Sequence, residues 1–190
     1  MICSLYSAAS TQEDIFEHEV KPLICRVVKG FNATIFAYGA TGSGKSHTII
    51  GSDKDPGIIP RSVRALLEGP SVFLCGNIPE RARHSVQLQD LQVSFMEIYN
   101  NKVTDLLGNK DRDLSIREDQ DLQVHCPDLT KIKVESMQNF LDIFGAAKNA
   151  RSTAATNLND QSSRSHAMLM LHSRYSDGVN MFRFLQVLNI

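Results

Sequence analysis

Residues 34–49 read TIFAYGATGSGKSHTI. A β-branched and aromatic run, TIFAY, is followed by a glycine-rich loop and then by a polar helix start. Gly39, Gly44, Lys45 and Ser46 fit G-x-x-x-x-G-K-[ST], the pattern of a loop that wraps a phosphate. Glycine permits the positive φ and the close backbone approach that such a turn needs. The amides of the loop and of the following helix end then face the anion, where the helix dipole favours negative charge. In this pattern Lys45 reaches the β- and γ-phosphates and the Ser46 hydroxyl ligates Mg2+. TIFAY shows no polar alternation, which predicts a strand covered on both faces, as in an α/β sheet.

The 190 residues suffice for one domain with its own core. An apolar share of 42% and a charged share of 22% are ordinary for a globular chain. A net charge of −1 provides no basic field for nucleic acid. The four cysteines, Cys3, Cys25, Cys75 and Cys126, are far apart and form no C-x-x-C pair. They predict reduced thiols in the cytosol or nucleus rather than a disulfide frame or zinc site. Neither a signal peptide nor a membrane span is expected.

Working outward from the loop, Thr11 opens TQED, a partial capping box with Asp14 in the Glu/Gln place. The helix it starts carries an apolar stripe through Val28, with Pro22 kinking or splitting it and Gly30 ending it. Pro60 predicts a helix start for RSVRALLE, which Gly69-Pro70 stops. Short strands are expected at 72–74 and around Leu114–Ile116, and a charged turn at 80–84. Residues 85–99 predict a long strand whose phase breaks near Asp90. Asn100-Asn101 turns the chain, and KVTDLLG reads as a short helix. Two short strands flank Pro127-Asp128. Ser136 caps a helix with Met137, Phe140, Leu141, Phe144 and Ala147 on one packing face. Residues 167–175 predict a strand, and Asp177-Gly178 is a strong hairpin signal into VNMFRFLQV.

Asn159 to His166, NDQSSRSH, crowds three serines, an arginine and a histidine before that strand. A plain loop accounts for such residues. Beside a phosphate loop, however, serine hydroxyls can ligate Mg2+ or orient a water, and an arginine can hold a carboxylate.

GATGSGKSHT, VSFMEIYNNKVTDLL and TAATNLNDQSSRSH, in this order and spacing, resemble the kinesin motor domain. The likeness runs from TQEDIFEHEVKPLI to the Asp177-Gly178 hairpin. It implies an α/β P-loop NTPase of the kinesin type, a mixed central sheet with helices on both faces, truncated at both ends. It also implies ATP and Mg2+ as cofactors and the microtubule as partner, in the cytoplasm on the cytoskeleton, with no nucleic acid or membrane. Gly39, Ala40, Thr41, Gly42, Ser43, Gly44, Lys45 and Ser46 become the phosphate loop. His47 takes a place near the adenine in some members, the competing reading being a plain surface histidine. Residues 159–166 become the first switch. In it Ser163 contacts the γ-phosphate and Mg2+, Ser162 orients water, and Arg164 pairs with a carboxylate. Lys131 and Lys133, in a stretch resembling a hairpin at the microtubule contact, are either tubulin contacts or solvated strand lysines.

The departures shape the functional expectation. No R-x-R-P-like strand precedes residue 1, and 179–190 reads VNMFRFLQVLNI where a second switch, D-x-x-G-x-E, is expected. That tail is treated as divergent, TIFAY as an exposed sheet edge prone to pairing, and Arg164 as lacking its glutamate. Each well-placed group lost from a catalytic site costs about 10²–10³ in rate, so negligible steady-state hydrolysis is expected. Two classes of function stay open: a fragment of an ATP-driven microtubule motor, or a nucleotide- or tubulin-binding regulatory fragment without turnover. A different P-loop NTPase is disfavoured because no guanine-reading N-K-x-D motif is present. Subfamily, direction, cargo and oligomeric state are left open.

Overall fold

The structure is a computed structural model that describes residues 4–69, 87–109, 113–120, 124–156, 165–176 and 181–189. The expected strand at 72–74, the turn at 80–84, residues 159–164 and Asp177-Gly178 lie outside these. Thr11 caps α1 (Gln12–Ile15) with both capping-box bonds in place, so Asp14 serves the role usually given to glutamate. Those bonds, first the one from the Thr11 amide, hold the Asp14 carboxyl below the ordinary carboxylate range. A π-turn (Phe16–Val20) follows, in which the Lys21 amide donates to the Phe16 carbonyl five residues back. Pro22, which has no N–H, sits directly after it at the start of α2 (Lys21–Val28). The helix is thus split where Pro22 predicts. Gly30, at φ 110°, closes α2: its amide donates to Val27 and that of Phe31 to Arg26, the paired bonds of a Schellman turn.

β1 (Ala33–Ala37) then leads through the glycine loop into α3 (Lys45–Ile49), and α4 (Ile58–Glu68) follows. α4 starts two residues before Pro60 and ends at Gly69, where φ is 85°. β2 (Gln87–Tyr99) carries a register shift between Leu88 and Asp90, the bulge that the broken phase predicts. Asn100 and Asn101 have φ of 48° and 62°, a two-residue left-handed turn. That turn overrules the helix expected for KVTDLLG. It sets Lys102 opposite Tyr99 and Val103 opposite Ile98, so residues 102–105 form β3 (Lys102–Asp105). The strand expected at Leu114–Ile116 is displaced to β4 (Arg117–Glu118), which pairs with β5 (Val124–His125). β6 (Ile132–Lys133) pairs with β2 rather than with β5, so the 123–134 stretch is not a self-paired hairpin among the described residues. Ser136 caps α5 (Met137–Thr156), its hydroxyl accepting from the Asn139 amide at 3.1 Å. β7 (Ser165–Ser176) and β8 (Met181–Asn189) complete the chain.

The main sheet runs β1-β8-β7-β2-β3, with β6 also on β2. Only β1 and β8 are parallel; the other pairs are antiparallel. The segment expected to be a divergent tail therefore supplies β8, the strand between β1 and β7. Among the described residues β1 lies at the sheet edge, and its burial alternates, with Phe36 64% exposed. The expectation of a strand covered on both faces is corrected: one face packs on the core and no described element covers the other. Residues from α2, α3, α4 and α5 join Leu91, Val93, Phe95, Leu169 and Leu171 in one large core. Phe144 of α5 stacks on Phe140 at 5.4 Å and on Phe95 at 5.8 Å, while Leu141 of the same stripe stays 44% exposed. On the opposite sheet face Met96 and Val103 meet Leu114 and Leu129. Asp105, 2% exposed, ties the two regions: its carboxylate accepts from the amides of Leu107, Gly108 and Thr130.

Behind α3 the backbone doubles back tightly. The Gly57 amide donates to Ile50, and a Cβ on Gly57 would lie 2.5 Å from the Thr48 carbonyl oxygen and 2.7 Å from the Gly51 nitrogen. Gly57→Ala therefore costs about 1–3 kcal/mol by overpacking. Gly145→Ala, where nothing lies within 4 Å in the middle of α5, stabilises by up to about 1 kcal/mol. Urea midpoints of the two variants move in opposite directions.

His172 of β7 is 5% exposed and its ring lies 3.0 Å from the Ser94 hydroxyl. Burial, reinforced by the charge of Lys131, lowers its pKa from 6.5 to about 4. The unfolded chain binds that proton more readily, so the neutral ring contributes stability that is present above pH 6.5 and lost as pH falls toward 4. The loss is about 3 kcal/mol, at 1.4 kcal/mol per pH unit. His172→Gln removes this part of the pH dependence, as denaturant titrations at pH 7 and pH 4.5 measure.

Candidate phosphate-binding site

Sheet and helices meet at the loop 38–44. β1 delivers the chain to Gly39, and α3 begins at Lys45 with Gly44 as its left-handed cap at φ 92°. Gly42 also has positive φ, at 81°, and a Cβ at either Gly42 or Gly44 would point into open space. At Gly39 the space is tighter: a Cβ there would meet the Ser43 hydroxyl at 2.6 Å, and that side chain would have to turn away. The Ser43 amide donates to the Ala40 carbonyl and closes the first bend. Gly42 and Gly44 thus adopt the left-handed conformations that a tight glycine loop uses.

Lys45 leans back across the loop, its ammonium donating to the Gly39 carbonyl at 2.8 Å and to the Ala40 carbonyl at 2.9 Å. A cation is held where the loop bends. Ser46 and His47 are exposed on the first turn of α3, and Thr41 is exposed on the loop. The donor set fits a phosphate with magnesium: glycines that leave the turn open, an ammonium, and a hydroxyl, a hard oxygen ligand of the kind Mg2+ takes. Among the described residues no group of three or more His, Cys, Asp or Glu forms a metal cluster.

Two further arrangements near the loop were not legible as site features. Gln12 of α1 is 3% exposed and its amide nitrogen donates to the His47 carbonyl, hooking α1 to α3. A glutamine right after a cap residue gives no sign of this, because its partner is 35 residues away. Glu97, near the end of β2, pairs with Arg151 of α5 at 2.9 Å, with 7% of its side chain exposed. Arg151 also donates to the Ser165 hydroxyl at 3.1 Å. The signal was a carboxylate inside the apolar run VSFMEIY; removing one partner of such a buried pair costs about 3–5 kcal/mol. Arg151 therefore fastens the last described part of α5 to the first residue of β7. The proposed switch residues Ser162, Ser163 and Arg164 fall between these anchors and outside the described residues, while Ser165 is buried and His166 exposed at the start of β7.

Lys131 and Lys133 lie on the other side of the sheet, both exposed. Lys133 pairs with Glu135 at 3.4 Å, and both side chains are more than half exposed. No described helix is long and apolar enough to cross a membrane.

Comparison with known proteins places this arrangement. The family model of the kinesin motor domain matches residues 4–183. Kinesin-like protein KIF22 of Xenopus tropicalis is 39% identical over 182 residues, covering 96% of this chain and 28% of the relative. Kinesin-like protein 5 of Schizosaccharomyces pombe is 36% identical over 195 residues, 98% of this chain and 21% of that protein. A solved structure of a fast kinesin is similar at a TM-score of 0.81 and 32% identity, over 95% of this chain and 50% of that one. The chain thus spans 28% or less of the length of these two curated relatives. A family match from residue 4 to residue 183, with the phosphate loop and the mixed sheet in their places, means that this chain belongs to the kinesin motor-domain family.

Proposed function

We propose that this chain binds ATP with Mg2+ through residues 39–46, as the phosphate-binding part of a microtubule motor. The observation that supports the reading is the geometry of the loop, with positive-φ glycines and Lys45 folded across the bend between β1 and α3. The backbone of Gly39, Ala40, Thr41, Gly42, Ser43 and Gly44 wraps the phosphates. Lys45 exchanges its two carbonyl partners for β- and γ-phosphate oxygens, and Ser46 holds the metal. His47 lies at the base end. When bound, Mg2+ neutralises charge on the phosphate oxygens. Ser163 contacts the γ-phosphate and the metal, Ser162 orients water and Arg164 anchors the switch; these three roles rest on the N-x-x-S-S-R-S-H motif alone. The motor acts on the microtubule cytoskeleton in the cytoplasm. Lys131 is the better candidate for an acidic tubulin surface, since Lys133 already shares its charge with Glu135.

A second reading, nucleotide binding without turnover, is favoured by one observation. Residues 181–189, MFRFLQVLN, form β8 and contain none of the Asp, Gly and Glu of a second switch. Phosphoryl transfer depends on several groups placed together, whereas the phosphate loop is local, so binding does not require them.

Titration calorimetry with Mg·ADP checks the shared claim. The unmodified chain binds, and Lys45→Ala binds about 10- to 100-fold more weakly, the equivalent of one charged hydrogen-bonding group. Equal affinities of the two proteins, or no binding by either, contradict the assignment. Microtubule-stimulated hydrolysis by the unmodified chain selects the motor reading over the second.

A further inference from the structure

We propose that Gln12 is a positioning residue that fixes the ring and the tautomer of His47 at the base end of the nucleotide site. The inference rests on the phosphate-loop reading and adds a residue that neither the loop motif nor the switch motif contains. The capping box sets the first turn of α1: the Asp14 amide donates to the Thr11 hydroxyl at 3.1 Å and the Thr11 amide to the Asp14 carboxylate at 2.8 Å. Gln12, the first residue after the cap, is directed inward and is 3% exposed, whereas first-turn neighbours Glu13 and Asp14 are exposed.

Its amide nitrogen faces two atoms of one residue. It donates to the His47 carbonyl, and it lies 3.1 Å from His47 Nδ1. A carbonyl only accepts, so the NH2 group and not the amide oxygen must face it. The same NH2 group has only hydrogens to offer Nδ1. Nδ1 must therefore present its lone pair, which puts the ring proton on Nε2. Turning the amide over would set the Gln12 oxygen against both the carbonyl and the lone pair. The orientation is kept although the Gln12 Oε1 atom is buried and has no hydrogen-bond partner. The ring itself is exposed and directly follows Ser46. A nucleotide whose phosphates lie in 39–46 meets a flat ring beside the loop, with its orientation fixed and an N–H on the edge away from Gln12.

The alternative is that Gln12 merely ties α1 to α3. Long-range 1H–15N spectra of His47 in the unmodified chain separate the two, together with titrations of Mg·ADP and Mg·pyrophosphate. Gln12→Leu removes the amide, and Gln12→Glu keeps its length without a hydrogen to give. The unmodified chain shows the Nε2–H tautomer, and Gln12→Glu moves the proton to Nδ1. Both variants weaken Mg·ADP by about 3- to 10-fold, the worth of one neutral hydrogen bond, and leave Mg·pyrophosphate unchanged. An Nδ1–H tautomer in the unmodified chain overturns the inference. So does an equal effect on both ligands, which marks a structural tie, or no effect on either. If the unmodified chain binds neither ligand, the phosphate-loop reading falls and this inference with it; if it binds both, only the role of Gln12 is at stake.

Discussion

The backbone between Ala37 and Lys45 turns sharply, and the elements around it hold the two ends of that turn. The turn itself is supplied by Gly42 and Gly44 at positive φ and by Gly39, where a side chain would strike Ser43. Such a backbone has little cohesion of its own. Its ends are fixed by tertiary contacts: β1 through its ladder to β8, and α3 through Gly57 and Gln12. A short helix of five residues is marginal alone. Here it is supported from behind by a backbone turn that admits no side chain at Gly57.

The sheet transmits that support inward. Among the described residues β1 pairs with β8 alone, β8 pairs with β7, and β7 pairs with β2 from Ser165 to Ser176. The site-bearing strand is therefore the outermost of the ladder, yet its inner face joins the main core through Ala33, Ile35 and Ala37. The Glu97–Arg151–Ser165 contacts work on the other side of the site. They clamp α5 to the start of β7, so the chain leaves one fixed point and returns to another across the N-x-x-S-S-R-S-H motif.

Much of this was legible because local chemistry and tertiary structure agree. The glycine spacing, the Thr11 cap, the Schellman turn at Gly30 and the bulge near Asp90 all arise from residues close in sequence. So does the left-handed Asn100-Asn101 turn, although its consequence was misjudged. Leu106 and Leu107 make KVTDLLG look helical, but a two-residue turn commits the following residues to pair back on β2. The exposed face of β1 has a different origin: an apolar residue such as Phe36 reads as buried until the fold shows which sheet face the described elements leave uncovered. The antiparallel pairing of β8 with β7 follows from the hairpin signal at Asp177-Gly178, whereas its parallel pairing with β1, from the other end of the chain, has no local signal. Gln12–His47 and Glu97–Arg151 join residues far apart in sequence, 35 and 54 positions, and no local pattern encodes such partners.

The central claim is that residues 39–46 are a phosphate cradle with Lys45 as its movable cation. A crystal structure with Mg·ADP tests it most directly. Phosphate oxygens are expected against the 42–46 backbone, with the Lys45 ammonium moved from the Gly39 and Ala40 carbonyls onto them. Nucleotide bound elsewhere, with Lys45 still on those two carbonyls, would contradict it.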